Sequence, residues 1–270
     1  MQLHKIGLVE GHLSRPGCAI HYWLGGPSDA PLVVFTHGAT VDHHEWDATL
    51  PLVGEHFRVL AWDVRSHGLS RPAPFSFAAV LDDLLALLDH VQAAQAILVG
   101  HSMGGNLHQE LVFRHPERVK ALVCLDCTWN FQKLTALESF SLRMAGPIFK
   151  LYPHKWLVDQ SLAATATSKA SQALLRPAME QLSKEEFVQV LLATSECLHH
   201  EPGYRINKPL LLIVGDKDAT GNIRKVMPVW AAQEPNCRLV VIPNARHAAN
   251  LDDPELFHQT LMEFLLSRGR

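Results

Sequence analysis

A chain of 270 residues with 47% hydrophobic and 19% charged side chains has an ordinary globular balance and can bury one large core. Its formal charge of −3 argues against nucleic acid or an anionic membrane as an electrostatic partner. Five scattered cysteines, Cys18, Cys124, Cys127, Cys197 and Cys237, argue against a disulfide framework and favour a reducing cytoplasm.

The first eleven residues carry charges and no long apolar run, so no signal peptide is expected there. No stretch is long and apolar enough for a membrane span. Lys5–Val9 and Ala19–Leu24 suggest two antiparallel edge strands, followed by a turn cluster at Gly25–Asp29. Leu32–Thr36 is uninterrupted apolar sequence, as a strand buried on both faces requires, and it runs into His37-Gly38-Ala39-Thr40. A weak helical pattern covers His44–Val53. Phe57–Trp62 forms the next strand, with Asp63 and a loop Arg65–Ser70 behind it. Ser76 is placed to cap a helix whose Phe77, Val80, Leu81, Leu84, Leu85, Leu88 and Val91 share one stripe.

Ala96–Val99 is a short strand that enters Gly100-His101-Ser102-Met103-Gly104-Gly105, and a helical pattern then runs as far as Pro116. Strand, tight turn and helix form the setting of a G-x-S-x-G nucleophile elbow, which lifts a serine hydroxyl above a sheet. Lys120–Leu125 is another buried strand. Strands alternating with helices imply a parallel sheet covered on both faces. The Cys124-Leu125-Asp126-Cys127 pattern has no second pair for zinc and reads as packing. His43-His44 and His199-His200 lack a third ligand at metal spacing.

The rhythm breaks at Trp129, and no strand pattern returns until Leu210. A stretch of that length must carry its own helices. Ser183 and Glu186 form a capping box there, with Leu182 and Phe187 as a hydrophobic staple, while Gly146-Pro147 and Pro177 should cut the remainder into short pieces. The expectation is a core of 1–128 and 209–270 with a helical cap, 129–208, over the strand ends where ligands bind. Trp129, Phe131, Phe140, Met144 and Phe149 either line an apolar pocket or pack within that cap. The sheet resumes with Leu210–Val214, a helix over Ile223–Gln233, a last strand Cys237–Ile242, and a closing helix capped by Asp253 with Pro254 first.

Ser102, Asp218 and His247 each follow a strand, in the order serine, acid, histidine. A serine hydroxyl needs a base to take its proton, histidine titrates near neutrality, and a carboxylate fixes its tautomer. Asp126 and Asp216 are alternative carboxylates. His37-Gly38, Asp63-Val64-Arg65 with His67-Gly68-Leu69-Ser70, the Gly100–Gly105 elbow, Gly215–Asp218 and His247–Pro254 together resemble the α/β-hydrolase fold superfamily. Within it the chain is most like small serine esterases, enol-lactonases and cofactor-free haloperoxidases. The resemblance implies a mostly parallel eight-stranded sheet with helices on both faces. It makes Ser102 the nucleophile, His247 the base and Asp218 its partner, with the Met103 and Ala39 amides as oxyanion hole. It departs from the family at Ser66 and Arg246, where glycine is usual. The implied reaction is hydrolysis of a small-molecule ester through an acyl-enzyme, without cofactor or metal, by a monomer or homodimer. Lactone opening, C–C hydrolysis, acyl transfer on the same three groups, or a non-catalytic receptor are the alternatives.

Overall fold

In the computed structural model, which describes residues 6–268, eight strands form one sheet. They are β1 (Val9–Arg15), β2 (Cys18–Gly25), β3 (Leu32–Thr36), β4 (Arg58–Trp62), β5 (Ala96–His101), β6 (Val119–Leu125), β7 (Leu210–Gly215) and β8 (Cys237–Ile242). Their spatial order is β1-β2-β4-β3-β5-β6-β7-β8. β1 and β2 pair antiparallel, as do β2 and β4, and every other pair is parallel. The first strand therefore lies later than the expected Lys5–Val9, and Lys5 falls outside the described residues. Its alternation is that of an edge strand with one wet face, which the short apolar run at its start obscured.

The two-residue period of the strands sorts side chains onto opposite faces. Val34, Leu60, Leu98, Leu122 and Leu212 join one buried cluster. Val33, Val59, Ile97, Val123 and Leu211 join the other. The first cluster is closed by helices α2 (Phe77–His90), α3 (Met103–Arg114) and α8 (Ile223–Gln233), the second by α1 (Leu50–Val53) and α10 (Pro254–Leu266). Ser76 caps α2 by accepting from the Ala79 N–H, and Asp253 caps α10 by accepting from the Leu256 N–H. On α2, Leu84 and Leu88 are fully buried, each contributing about 2 kcal/mol by removal from water. The expected helix over His44–Val53 is instead a 3₁₀ turn, His43–Trp46, and the separate α1. Pro51 inside that span has no N–H to continue one helix, and it starts the second.

Between β6 and β7 stand α4 (Ala136–Leu151), α5 (His154–Thr165), α6 (Lys169–Gln181) and α7 (Lys184–Ala193). The capping box of Ser183 and Glu186 starts α7 as expected, and Thr135 with Glu138 forms a second one at α4. Pro147 and Pro177 do not divide this segment: each sits inside a helix. The missing N–H costs one hydrogen bond, but packing holds the turns in place. Leu157, Leu162, Leu175, Met179 and Phe187 build a small core of the segment's own, joined by Val41 from the sheet side. α9 (Ala249–Asp252) is a single turn that the sequence did not reveal.

Candidate active site

Parallel strands deliver their following residues to one rim, and the site is assembled there. Ser102 follows β5 with φ 48° and ψ −113°, a conformation few side-chain-bearing residues adopt. Its neighbours hold it there. A Cβ on Gly100 would strike the main chain of Gly104, and one on Gly104 would strike the Thr36 carbonyl. The Ser102 N–H donates to the Leu125 carbonyl at 2.9 Å, pinning the turn to β6. α3 starts at the next residue, so its N-terminal dipole faces the serine.

His247 follows β8, and its Nε2 lies 2.9 Å from Ser102 Oγ. Its Nδ1 lies 3.1 Å from Asp218 Oδ2, beyond the end of β7. Asp218 is almost fully buried. Burial works to raise its carboxyl, but attraction to His247 and the hydrogen bond between them, with the Thr220 N–H, hold it below the usual carboxylate value. Asp126 makes no hydrogen bond or ion pair with the imidazole. Its two oxygens accept the Gly215 N–H at 2.8 Å and the Ala249 N–H at 3.0 Å, joining β7 to the histidine's loop. Burial first, and then the charge of Asp218, push the Asp126 carboxyl well above its ordinary value. Asp216 makes no hydrogen bond to His247; its carbonyl oxygen accepts from Arg224. The structure thus brings Ser102, His247 and Asp218 together and gives Asp126 a different contact set.

The loop after β3 is fixed by two neutral imidazoles. His37 Nδ1–H donates to the Gly38 carbonyl at 2.7 Å, and its Nε2 accepts the Val64 N–H at 3.0 Å. His67 Nδ1–H donates to the Arg65 carbonyl, and its Nε2 accepts the Thr40 N–H at 3.0 Å. Burial lowers both rings, His67 to about 3. The amides on either side of Ala39 are occupied: the Gly38 N–H donates to the Glu45 carboxylate and the Thr40 N–H to His67. Among the described residues, the Ala39 and Met103 N–H groups enter no such bond. Ser66 adopts φ 68°, the left-handed region that glycine takes without strain. Asp63 anchors the same region, accepting the main-chain N–H groups of His43 and Leu69.

Glu45 and His101 form a buried pair that sequence reasoning did not link. Glu45 Oε1 lies 2.7 Å from His101 Nδ1. Attraction between the opposite charges holds the contact. The other ring nitrogen, Nε2, donates to the His247 carbonyl at 2.8 Å. Glu45 Oε2 accepts the Gly38 N–H at 3.1 Å. One ion pair therefore spans the loop after β3 and the main chain of His247. Burial alone would lower His101, but Glu45 outweighs it and raises the ring to about 9. Burial would raise Glu45, yet His101 holds it below its ordinary value. The His101 contribution to stability is therefore complete below about pH 6.5 and is lost as pH rises toward 9; that of Glu45 disappears in acid. The His101 share of this should lower wild-type stability by up to about 3 kcal/mol between those limits, and a Glu45→Gln variant should lose that share while keeping the part due to the exposed His44, whose ring Asp47 also raises. Denaturant titrations at successive pH values measure it; parallel stability curves would remove the ion pair from the account.

The loop carrying His247 is also tied to the inserted helices. Ala248 N–H donates to the Thr165 carbonyl at 2.7 Å, and the Arg246 guanidinium contacts the Ala163 carbonyl, both in the last turn of α5. Asp252 accepts the Thr167 N–H, the Thr167 hydroxyl and the Arg246 N–H. Arg246, where the resemblance led one to expect glycine, reaches the insertion with its side chain. The five cysteines are free, and those at 124, 127 and 197 are buried. Trp129 and Phe131 are buried, whereas Phe140 and Met144 are exposed. Asp42, His43 and His44 lie close enough to share a cation, but His43 already meets Asp63 and His44 meets Asp47.

A sequence profile of the alpha/beta hydrolase fold matches residues 31–254. A 3-oxoadipate enol-lactonase from Acinetobacter baylyi is 24% identical over 92% of this chain and 94% of its own length. A pimeloyl-[acyl-carrier protein] methyl ester esterase from Yersinia enterocolitica is 27% identical over 90% of this chain and 96% of its own. The solved structure of a thermophilic esterase from Thermogutta terrifontis superposes with a TM-score of 0.81, covering 97% of this chain and 99% of that one at 21% identity.

Proposed function

From the premise that this chain belongs to the α/β-hydrolase fold family, we propose that it is a serine hydrolase that cleaves a small carboxylic ester. The observation that carries the reading is the continuous contact from Ser102 Oγ to His247 Nε2, at 2.9 Å, and from His247 Nδ1 to Asp218, at 3.1 Å. The names of relatives that act on an ester or an enol-lactone agree with it.

In this reading Ser102 Oγ bonds to the substrate carbonyl carbon while its proton passes to His247 Nε2. Asp218 stabilises the imidazolium and keeps Nδ1 protonated. The oxyanion is held by the Met103 and Ala39 N–H groups, each worth roughly 3 kcal/mol in the transition state. Collapse breaks the bond to the alcohol oxygen, which takes the proton from Nε2. Water then repeats the sequence on the acyl-enzyme, with His247 first removing and then returning a proton. We take 129–208 as a cap on a core of 1–128 and 209–270. The separate packing of Leu157, Leu162 and Phe187, and the ties from α5 to the His247 loop, support that division.

A fluorophosphonate probe tests the reading directly. Intact-mass and peptide analysis should find one equivalent of probe on Ser102, with loss of p-nitrophenyl ester turnover in proportion to labelling. An enzyme that stays unlabelled, or is labelled elsewhere while turnover falls, defeats the assignment.

A further inference from the structure

α4 carries apolar residues on two faces. Gly146 is buried close to Leu192 at the end of α7, and Phe149 packs beside the small core of the same segment. The opposite face presents Leu137, Phe140, Met144, Ile148 and Leu151 at helical spacing, and all five are exposed, Leu137 by 73% and Leu151 by 80%. Just past its end, Tyr152 and Trp156 stack with ring centroids 4.1 Å apart, both well exposed. Aqueous surfaces carry single exposed leucines without consequence, but a continuous row of large apolar side chains calls for a covering partner.

The charge around that row says what covers it. Residues 133–156 hold Lys133, Arg143, Lys150 and Lys155 against a single acid, Glu138, in a chain whose total charge is −3. Glu138 is satisfied locally by Thr135 and Asn222, and Lys155 pairs with Asp159. Lys133, Arg143 and Lys150 enter no ion pair among the described residues, and Lys184 approaches the Lys150 carbonyl from α7. Arg143 and Lys150 lie seven apart, on one flank of the apolar row. A second copy placed on this face by two-fold symmetry would bring these cations toward their own counterparts. A lipid surface bearing anionic headgroups would instead accept the apolar row below and the cations above, with Tyr152 and Trp156 at the boundary.

We propose that α4 and the turn after it form a docking face for an anionic lipid surface, laid parallel to the bilayer and not crossing it. No helix among the described residues is long and apolar enough to cross a membrane, which leaves such in-plane contact open. The low overall charge concealed this feature, because most acids lie outside 133–156; of those, Glu185 and Glu196 share a groove with Lys150 and Lys184. The inference does not depend on the chemistry at Ser102.

The test uses the full chain in sedimentation with phosphatidylcholine vesicles, with and without about a third of phosphatidylglycerol. The wild type should pellet with the anionic vesicles, weakly with the neutral ones, and less in high salt. A Leu137→Ser/Leu151→Ser variant should bind the anionic vesicles about tenfold less or weaker still. Arg143→Gln/Lys150→Gln should lose the preference for anionic lipid. Thermal melting shows that each variant remains folded, which two exposed substitutions permit. Absence of pelleting with both vesicle types overturns the proposal. So does a dimer by light scattering that the double serine variant dissolves, since the face would then belong to a second copy.

Discussion

Ser102→Ala is expected to lower kcat for p-nitrophenyl ester hydrolysis by about 10⁴- to 10⁶-fold while leaving KM within a few-fold of wild type. The asymmetry has a physical basis. The hydroxyl touches the carbonyl carbon only as the bond forms, so its removal takes away transition-state and not ground-state interactions. On the proposed mechanism, the pull of the Met103 and Ala39 amides and the orientation of bound substrate remain, and these should keep the variant above reaction in water. Steady-state kinetics on purified variant and wild type, with the fold checked by thermal melting, decide the point. An alanine variant that turns over as fast as wild type would leave no role for the contact with His247. Adding His247→Gln to Ser102→Ala should cost little more, because the two groups act on the same proton.

Asp218→Asn should reduce kcat by about 10⁴-fold, with the protein remaining folded. An amide at that position turns an NH₂ group toward His247 Nδ1 and favours the tautomer with the proton on Nε2, where it cannot accept from Ser102 Oγ, 2.9 Å away. The imidazolium formed during reaction also loses the negative charge 3.1 Å from Nδ1. Asp126→Asn provides the contrast. Asp126 accepts two main-chain N–H groups and makes no hydrogen bond with the imidazole, so an asparagine there loses one of those main-chain bonds. A stability loss of about 1–3 kcal/mol with a far smaller fall in kcat is expected. Parallel kinetics and denaturant curves on the two variants separate a carboxylate that assists the base from one that holds its loop. Should Asp126→Asn instead prove the more damaging to kcat, the acid has been misassigned.

Much of the fold was written locally. The apolar runs at β3, β5, β6, β7 and β8, the Ser76 and Asp253 caps, and the elbow glycines are short-range signals. A strand buried on both faces must be continuously apolar, and a helix end must find an acceptor for its free N–H groups. The order serine, aspartate, histidine was legible for the same reason, since each lies just beyond a strand and parallel strands share one rim. The first strand, α1 and the proline-containing α4 and α6 were misjudged where tertiary packing overrides local preference. Packing of α4 on α7, where Gly146 lies close to Leu192, holds a helix that Pro147, taken alone, would end.

Only the tertiary structure decided which charges meet. Nothing in the chain marks Glu45 as the partner of His101, nor His67 as the acceptor for the Thr40 amide, because those contacts join loops distant in sequence. The choice of Asp218 over Asp126 as neighbour of the imidazole was likewise a matter of position and not of residue type. The sequence determined the sheet, its covered faces and the rim on which polar groups gather, through hydrophobic periodicity and turn chemistry. Electrostatic partnership was left to three-dimensional packing, because Coulomb attraction and desolvation depend on separations and burial that no local pattern encodes.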